Sequence, residues 1–312
     1  MIASKVKFAA SLYALMSISF WGISFVSTKA VLDKLDLYTL LVLRFGIGAL
    51  FLLVLLALKR YPLRIPLKYI PHLIVLGILG VFVHQVIQAT ALLTINASAA
   101  GWIISFSPVF TVILSVFFLH EKMTVLKASG MIVAIIGVLL VTTSNNQQSF
   151  QLPINVGYLL MILSTLNWAI YSVLLKRLHI QLPSLVITFY MCLIGFILTT
   201  PFLIRNRGWE KMPFLTSVEW AHLLFLGVFV SGVAYWYWAK ALEVLEVLEA
   251  SQVSVFLYLE PVATLVTAIL LLQEKIIPVS ILGGIIIIMG VILVNGRLLT
   301  FLKSLPWRNK NL

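Results

Sequence analysis

Long apolar runs dominate the chain and alternate with short connections that carry charges or turn residues. The ten runs cover 8–31, 38–58, 73–93, 97–119, 125–142, 156–175, 185–204, 221–239, 250–272 and 277–294. A helix needs about 20 residues to cross hydrocarbon, and lipid offers no hydrogen bonds to an open backbone. Because barrel strands would alternate polar and apolar residues, the pattern predicts an all-α membrane protein with ten transmembrane helices.

Composition agrees with a membrane protein and leaves no room for a large soluble domain. Of 312 residues, 62% are hydrophobic and 10% are charged, against about 25% charged in soluble domains. The net charge is +12, but Lys and Arg are scattered between the runs, whereas a duplex binder gathers them on one surface. The lipid bilayer is therefore an expected partner and nucleic acid is not. The single cysteine, Cys192, excludes an intrachain disulfide.

The positive charges predict the orientation. With ten spans both termini share one side, and that side receives 15 Lys and Arg residues against 5 on the other. Since positive loops stay in the cytoplasm, both termini are predicted to be cytoplasmic, in a multi-pass protein of the plasma (inner) membrane. The run 8–31 is longer than the core of a signal peptide and is interpreted as an uncleaved first span.

The two halves of the chain resemble each other. Shifts of 147, 150 and 153 residues superpose Trp21 on Trp168, Gly77 on Gly227, and Pro108, Glu121, Gly130 and Gly137 on Pro261, Glu274, Gly283 and Gly290. The predicted domains are a first five-helix repeat (1–145), a second repeat (155–296) and a basic cytoplasmic tail (297–312). Because five spans is an odd number, the second repeat must be inverted, a common plan of secondary transporters.

Several motifs resemble those of one transporter family. They are Trp21-Gly22, Arg44-Phe45, Ser107-Pro108 with Leu119-His120-Glu121-Lys122, and Leu259-Glu260-Pro261-Val262 with Leu272-Gln273-Glu274-Lys275. Over essentially the whole chain, this register resembles the EamA-type branch of the drug/metabolite transporter superfamily. The resemblance implies ten helices in two inverted five-helix repeats and export or exchange of small metabolites, often amino acids.

Glu260 is the acid that lies deepest in an apolar run, about ten residues from either end of span nine. At 1.5 Å per residue it is about 15 Å deep, where a charge costs at least about 2.5 kcal/mol. It is interpreted either as a site for a substrate amine or a proton, or as a hydrogen bond between packed helices. Its repeat-related position is Ser107, so the repeat is broken here.

Other polar and aromatic residues lie at a similar depth. His84 and Gln88, with Gln85 between them, suggest a wet helix face, although a neutral imidazole bonded to backbone or to Gln88 would also explain them. Trp21, Ser24, Trp168 and Tyr171 follow helical stripes and are expected to form either a pocket wall or helix packing. Trp102 and Tyr258 are candidate extensions of that wall, as are Tyr235 and Trp238.

Residues at bends and ends of spans receive structural predictions. Pro108 and Pro261 each remove one helical hydrogen bond and are predicted to kink their spans and help them move. Glu274-Lys275 and Glu121-Lys122 are interpreted as solvated ends of helices, with ion pairs at a gate as the alternative. Lys29 is expected to reach toward headgroups, and Arg44 either to do the same or to turn inward toward Glu260.

The connections hold no phosphate-binding glycine loop, no Cys/His cluster and no Ser/His/Asp set. We therefore predict no cofactor, no metal and no enzymatic activity, and instead a secondary transporter of small metabolites, with amino acids the favoured class, that works by alternating access at a midplane cavity. The alternatives are a proton-coupled exporter of lipophilic cations or drugs and, less favoured, a lipid-processing membrane enzyme. The expected partners are a small-molecule substrate and, as a candidate coupling ion, the proton; monomer and homodimer both remain open.

Overall fold

A computed structural model describes residues 2–119, 123–143, 155–178, 180–248, 259–275 and 277–294. These residues form eight helices that are long and apolar enough to cross a membrane and two shorter apolar helices, with no strand, which confirms the predicted fold class. In chain order the spans are α1 (Ile2–Leu32), α2 (Leu37–Leu58), α3 (Leu67–Leu92), α4 (Ala97–Ile104 and Ser107–Leu119), α5 (Val125–Thr143), α6 (Val156–Arg177), α7 (Ser184–Arg205), α8 (217–248), α9 (Leu259–Leu272) and α10 (Pro278–Val294). The start of predicted span nine, 250–258, and the tail, 297–312, lie outside the described residues.

Local signals set several of the helix ends. Asp36 begins α2 by accepting hydrogen bonds from the backbone N–H groups of Tyr38 and Thr39. Thr216 and Glu219 form a reciprocal capping box at the start of α8. Each cap supplies acceptors to N–H groups that have no partner within the helix. Large apolar side chains such as Leu50, which is 64% exposed, face outward, as lipid contact requires.

Close contacts between glycines show that the repeats are inverted. A Cβ atom on Gly130 would lie 2.7 Å from the carbonyl oxygen of Gly290, and one on Gly137 would lie 2.6 Å from that of Gly283. Because 130 pairs with 290 and 137 with 283, α5 and α10 run antiparallel. The shift of 153 residues converts one pair into the other, so a twofold pseudo-axis relates the halves. Small residues here allow the two backbones to touch.

The pair α2 and α7 obeys the same symmetry. A Cβ on Gly48 would lie 3.8 Å from Sγ of Cys192, and one on Gly195 would lie 3.0 Å from the ring of Phe45. The shift of 147 residues exchanges these two contacts. The repeat-related indoles of Trp21 and Trp168 also touch each other, with ring centroids 5.3 Å apart. The pseudo-axis therefore passes between them, at the centre of the molecule.

Three spans depart from regular α-helix near that centre. α3 and α8 contain π-helical segments, Ile78–Val83 and Phe225–Ala234, at repeat-related positions. α4 is interrupted between Ile104 and Ser107. Pro108 is the second residue after the interruption, where its missing N–H has no helical partner to lose. Pro261 lies in the first turn of the described part of α9. The gating role of both prolines stays a prediction.

Candidate substrate site

A cavity lies between the two repeats, beside the Trp21–Trp168 contact. It is bounded by side chains of α1, α3, α4, α6, α8 and α9. The lining residues are Trp21, Ser24, Phe25, His84, Gln85, Gln88, Ile104, Trp168, Tyr235 and Glu260. The cavity thus brings together seven residues that the sequence singled out for the site: Trp21, Ser24, His84, Gln88, Trp168, Tyr235 and Glu260.

Glu260 provides the cavity's carboxylate. Its side chain is only 7% exposed, and within the described part of the chain no residue donates a hydrogen bond or a cation to it. Close packing fixes its backbone, because a Cβ on Gly22 would lie 2.6 Å from the Glu260 carbonyl oxygen. Thr264, one turn on, donates to the Gly22 carbonyl at 2.9 Å. α1 thus holds the acid in place at the edge of the cavity.

Aromatic rings from α1, α6 and α8 form part of the cavity wall. Trp21 contacts Tyr235 and Trp238, each with ring centroids 5.4 Å apart. Trp168 lies 5.0 Å from the His84 ring and 5.1 Å from the Tyr171 ring. The indole Nε1 of Trp21 is buried and has no hydrogen-bond partner among the described residues. A buried donor of this kind normally needs an acceptor.

His84 is held by hydrogen bonds within the protein. Its Nδ1 lies 3.0 Å from Oγ of Ser164 and 3.2 Å from the Ser164 carbonyl oxygen. Its Nε2 lies 3.5 Å from Nε2 of Gln88. These contacts fit the interpretation of a histidine satisfied by backbone and by Gln88, although the ring also borders the cavity. Both interpretations of His84 therefore stand.

Arg44 turns inward, but not toward Glu260. It is 1% exposed, and it donates from Nη1 to Oε1 of Gln85 at 2.8 Å and from Nε to Oγ of Ser231 at 3.0 Å. A guanidinium from α2 therefore joins α3 and α8 directly behind the cavity wall. The sequence left its neighbours undetermined and did not place Gln85 in the predicted site. The signal visible in the sequence was that three polar residues, His84, Gln85 and Gln88, lie close together in the apolar helix α3.

Two predicted site residues, Trp102 and Tyr171, lie away from the cavity. Trp102 lines a second pocket, between α4, α9 and α10, because its indole packs against Gly284. Tyr171 is buried behind Trp168 and contacts Gly80 and Met191 instead of the cavity. Tyr258 lies outside the described residues, as do Glu121 and Lys122. The cavity residues Phe25 and Ile104 were missed, because the sequence does not show which way an apolar residue in a transmembrane helix faces.

The interpretation of Glu274 as a solvated helix end is wrong. Its carboxylate accepts hydrogen bonds from the N–H groups of Ala97 and Ser98, at 2.8 and 3.2 Å, and from the Ser98 hydroxyl at 2.7 Å. Glu274 therefore caps the start of α4, where N–H groups lack helical partners. Lys29, expected to reach toward headgroups, donates to the Ile95 carbonyl at 2.5 Å in the same region.

An inverted-repeat helical bundle with a polar cavity between its halves defines a class of protein, the secondary transporters. The sequence model of the EamA-like transporter family matches residues 8–143 and 155–296. The chain belongs to the EamA-like transporter family.

Relatives and a solved structure agree with that assignment. An "Uncharacterized transporter" of Archaeoglobus fulgidus is 30% identical over 284 residues, which cover 89% of this chain and 96% of the relative. A "Probable terminal-alkyne amino-acid exporter" of Streptantibioticus cattleyicolor is 25% identical, over 94% of this chain and 96% of its own length. A crystal structure at 22% identity and a TM-score of 0.65 covers 95% of this chain and 99% of its own, and it shares the fold.

Proposed function

We propose that the protein exports or exchanges amino acids by alternating access, with the cavity at the centre of the bundle as the substrate site. The observation that carries the proposal is Glu260, a buried carboxylate in the cavity without a donor from the described residues. Desolvating an unpaired charge in this way costs free energy, and a substrate ammonium would supply the missing partner. The amino-acid exporter among the relatives supports the same class of substrate.

The aromatic wall suits a substrate with an apolar side chain. Trp21, Trp168 and Tyr235 surround the space beside Glu260 and offer both apolar area and ring faces. The amides of Gln85 and Gln88, which also line the cavity, suit the polar end of an amino acid. The excess of positive charge on one side of the spans supports a plasma-membrane protein with both termini in the cytoplasm.

Counterflow in liposomes tests the proposal. Purified protein is reconstituted into vesicles loaded with one unlabelled amino acid at a time, and entry of the same labelled amino acid is followed. We expect exchange of at least one apolar or aromatic amino acid. In Glu260→Gln, its KM should rise about tenfold, because a charge-assisted hydrogen bond is replaced by a neutral one.

The matched control is Glu210→Gln, the same change on an exposed acid outside the cavity whose ion pair is with Arg207. It should leave exchange unchanged. Exchange in Glu260→Gln that equals the wild type at every pH would remove Glu260 from the site. Vesicles that exchange no amino acid would overturn the proposed substrate class.

A proton-coupled exporter of lipophilic cations is the second candidate. The observation in its favour is the same aromatic wall, because a cation held against indole faces beside a carboxylate is bound by both. Tetraphenylphosphonium discriminates between the two. If the protein is a cation exporter, this cation competes strongly and is itself driven across the membrane by a proton gradient; an amino-acid carrier shows neither effect.

A further inference from the structure

The hydrogen bond from Arg44 fixes how the Gln85 amide faces the cavity. A guanidinium has only donors, so the atom that Gln85 turns toward Arg44 must be its carbonyl oxygen. That contact is 2.8 Å long. The NH₂ group lies on the other branch of the same planar amide, where the Gln85 side chain is also hydrogen-bonded to the Tyr235 hydroxyl. Gln85 and Tyr235 both line the cavity, and because an NH₂ group has two hydrogens, one remains for a ligand. Arg44 thus orients a donor toward the site while remaining 1% exposed itself.

Trp21, which lines the same space, carries a second donor. Its Nε1 is buried and has no acceptor among the residues that the structure describes, and its ring lines the cavity. Two N–H donors therefore border the cavity together with one carboxylate, Glu260. The buried guanidinium behind Gln85 adds positive potential on that side, which falls off slowly at low dielectric. The site therefore offers both a carboxylate, from Glu260, and two N–H donors, from Gln85 and Trp21.

A ligand that satisfies all three groups carries a cationic donor and an anionic acceptor. We infer that the site binds a free amino acid as its zwitterion, with the ammonium on Glu260 and the carboxylate on the Gln85 amide and the Trp21 indole. Arg44 is the positioning residue that holds Gln85. The inference rests on the proposed function and adds to it the recognition of the carboxylate, which a lipophilic cation lacks.

Competition by modified amino acids tests the inference. Once the best substrate is known, its uptake is measured against its unlabelled form, its primary amide and its decarboxylated amine. We expect the wild type to prefer the free amino acid by at least about tenfold, because removal of the carboxylate leaves buried donors unpaired. In Gln85→Leu and in Trp21→Phe, the preference should fall to about threefold or less, because each variant removes one donor.

Gln88→Leu is the matched control. Gln88 lies on the same helix and also lines the cavity, but its amide is paired with His84. This variant is expected to weaken uptake while it keeps the wild-type preference for the free carboxylate. Arg44→Gln should lower the preference as Gln85→Leu does, because Gln85 then loses its fixed orientation, with a rise in KM larger than any fall in kcat.

The outcomes separate the inference from the proposed function. A wild-type protein that exchanges amino acids but accepts the amide and the amine equally well overturns the inference alone. So does a Gln85→Leu variant that exchanges amino acids with the wild-type preference intact. Absence of exchange for every amino acid overturns both. Folding of each variant is checked by its melting temperature in detergent, and Trp21→Phe, which keeps most of the ring, gives the answer if Gln85→Leu does not fold.

Discussion

Single residues fix the position of the carboxylate, and Gly22 does so most directly. α1 and α9 touch at this residue, because a Cβ there would lie 2.6 Å from the Glu260 carbonyl oxygen and 2.8 Å from the Ala263 Cβ. Both neighbours belong to helix backbone or to a short rigid side chain, which cannot turn away. The absence of a side chain at position 22 therefore sets the depth at which Glu260 meets the cavity.

Gly22→Val should displace α9 and impair exchange. Overpacking of this kind costs about 1 to 3 kcal/mol, so we expect a lower melting temperature in detergent together with a large loss of uptake. Gly46→Ala is the control, because its Cβ would meet only the ring of Phe196, at 3.1 Å. A Gly22→Val protein with normal stability and uptake would contradict the packing argument.

At the scale of elements, α4 depends on a side chain from the other repeat. Glu274 follows α9 in the chain, yet it accepts three hydrogen bonds from Ala97 and Ser98 at the start of α4. A carboxylate at a helix N-terminus stabilises it through both the hydrogen bonds and the helix dipole. The contact joins the two repeats at the membrane face where α3 ends and α4 begins.

Glu274→Gln should destabilise the protein by about 1 kcal/mol, and Glu274→Ala by about 1 to 2 kcal/mol, as for the loss of a helix cap. The measurement is thermal unfolding in detergent, with the exposed acid variant Glu210→Gln as reference. The graded order, alanine worse than glutamine, is the diagnostic part. Equal stability of all three variants would show that the Glu274 contact contributes nothing to the folded state.

The whole molecule combines a symmetric frame with an asymmetric site. The glycine pairs of α5 with α10 and the contacts of α2 with α7 are related by the pseudo-axis. At the cavity the symmetry fails, because Gln85 corresponds to Tyr235 and Glu260 to Ser107. Repeats of equal architecture allow alternating access, whereas a ligand with two different charged ends requires unequal walls.

Labelling from one side of the membrane tests the orientation of the whole molecule. In a Cys192→Ala background, single cysteines replace the exposed residues Lys34, Lys59 and Lys275. A membrane-impermeant maleimide should label positions 34 and 275 in intact cells, and position 59 only after permeabilisation, since these loops follow an odd, an even and an odd number of spans. Labelling of all three positions from one side would contradict the ten-span inverted topology.

The sequence alone determined the spans and the inversion of the repeats. Both follow from quantities that are local along the chain: the length of an apolar run measured against the bilayer and an odd number of spans per half. It also identified Glu260, His84, Gln88 and the two tryptophans, because a polar or large aromatic residue deep in an apolar run is conspicuous wherever it faces.

Only the tertiary structure decided which of these residues meet. Trp102 and Tyr171 are large aromatic residues deep in apolar runs, as Trp21 is, but the rotation of their helices turns their side chains away from the cavity. The π-helical segments of α3 and α8 shift the facing of residues beyond them, so a regular helical count does not predict where Gln85 points. Arg44 and Glu274 each find their partners on other helices, because a buried or capping charge takes the nearest unpaired group in space, and distance along the chain does not specify that group.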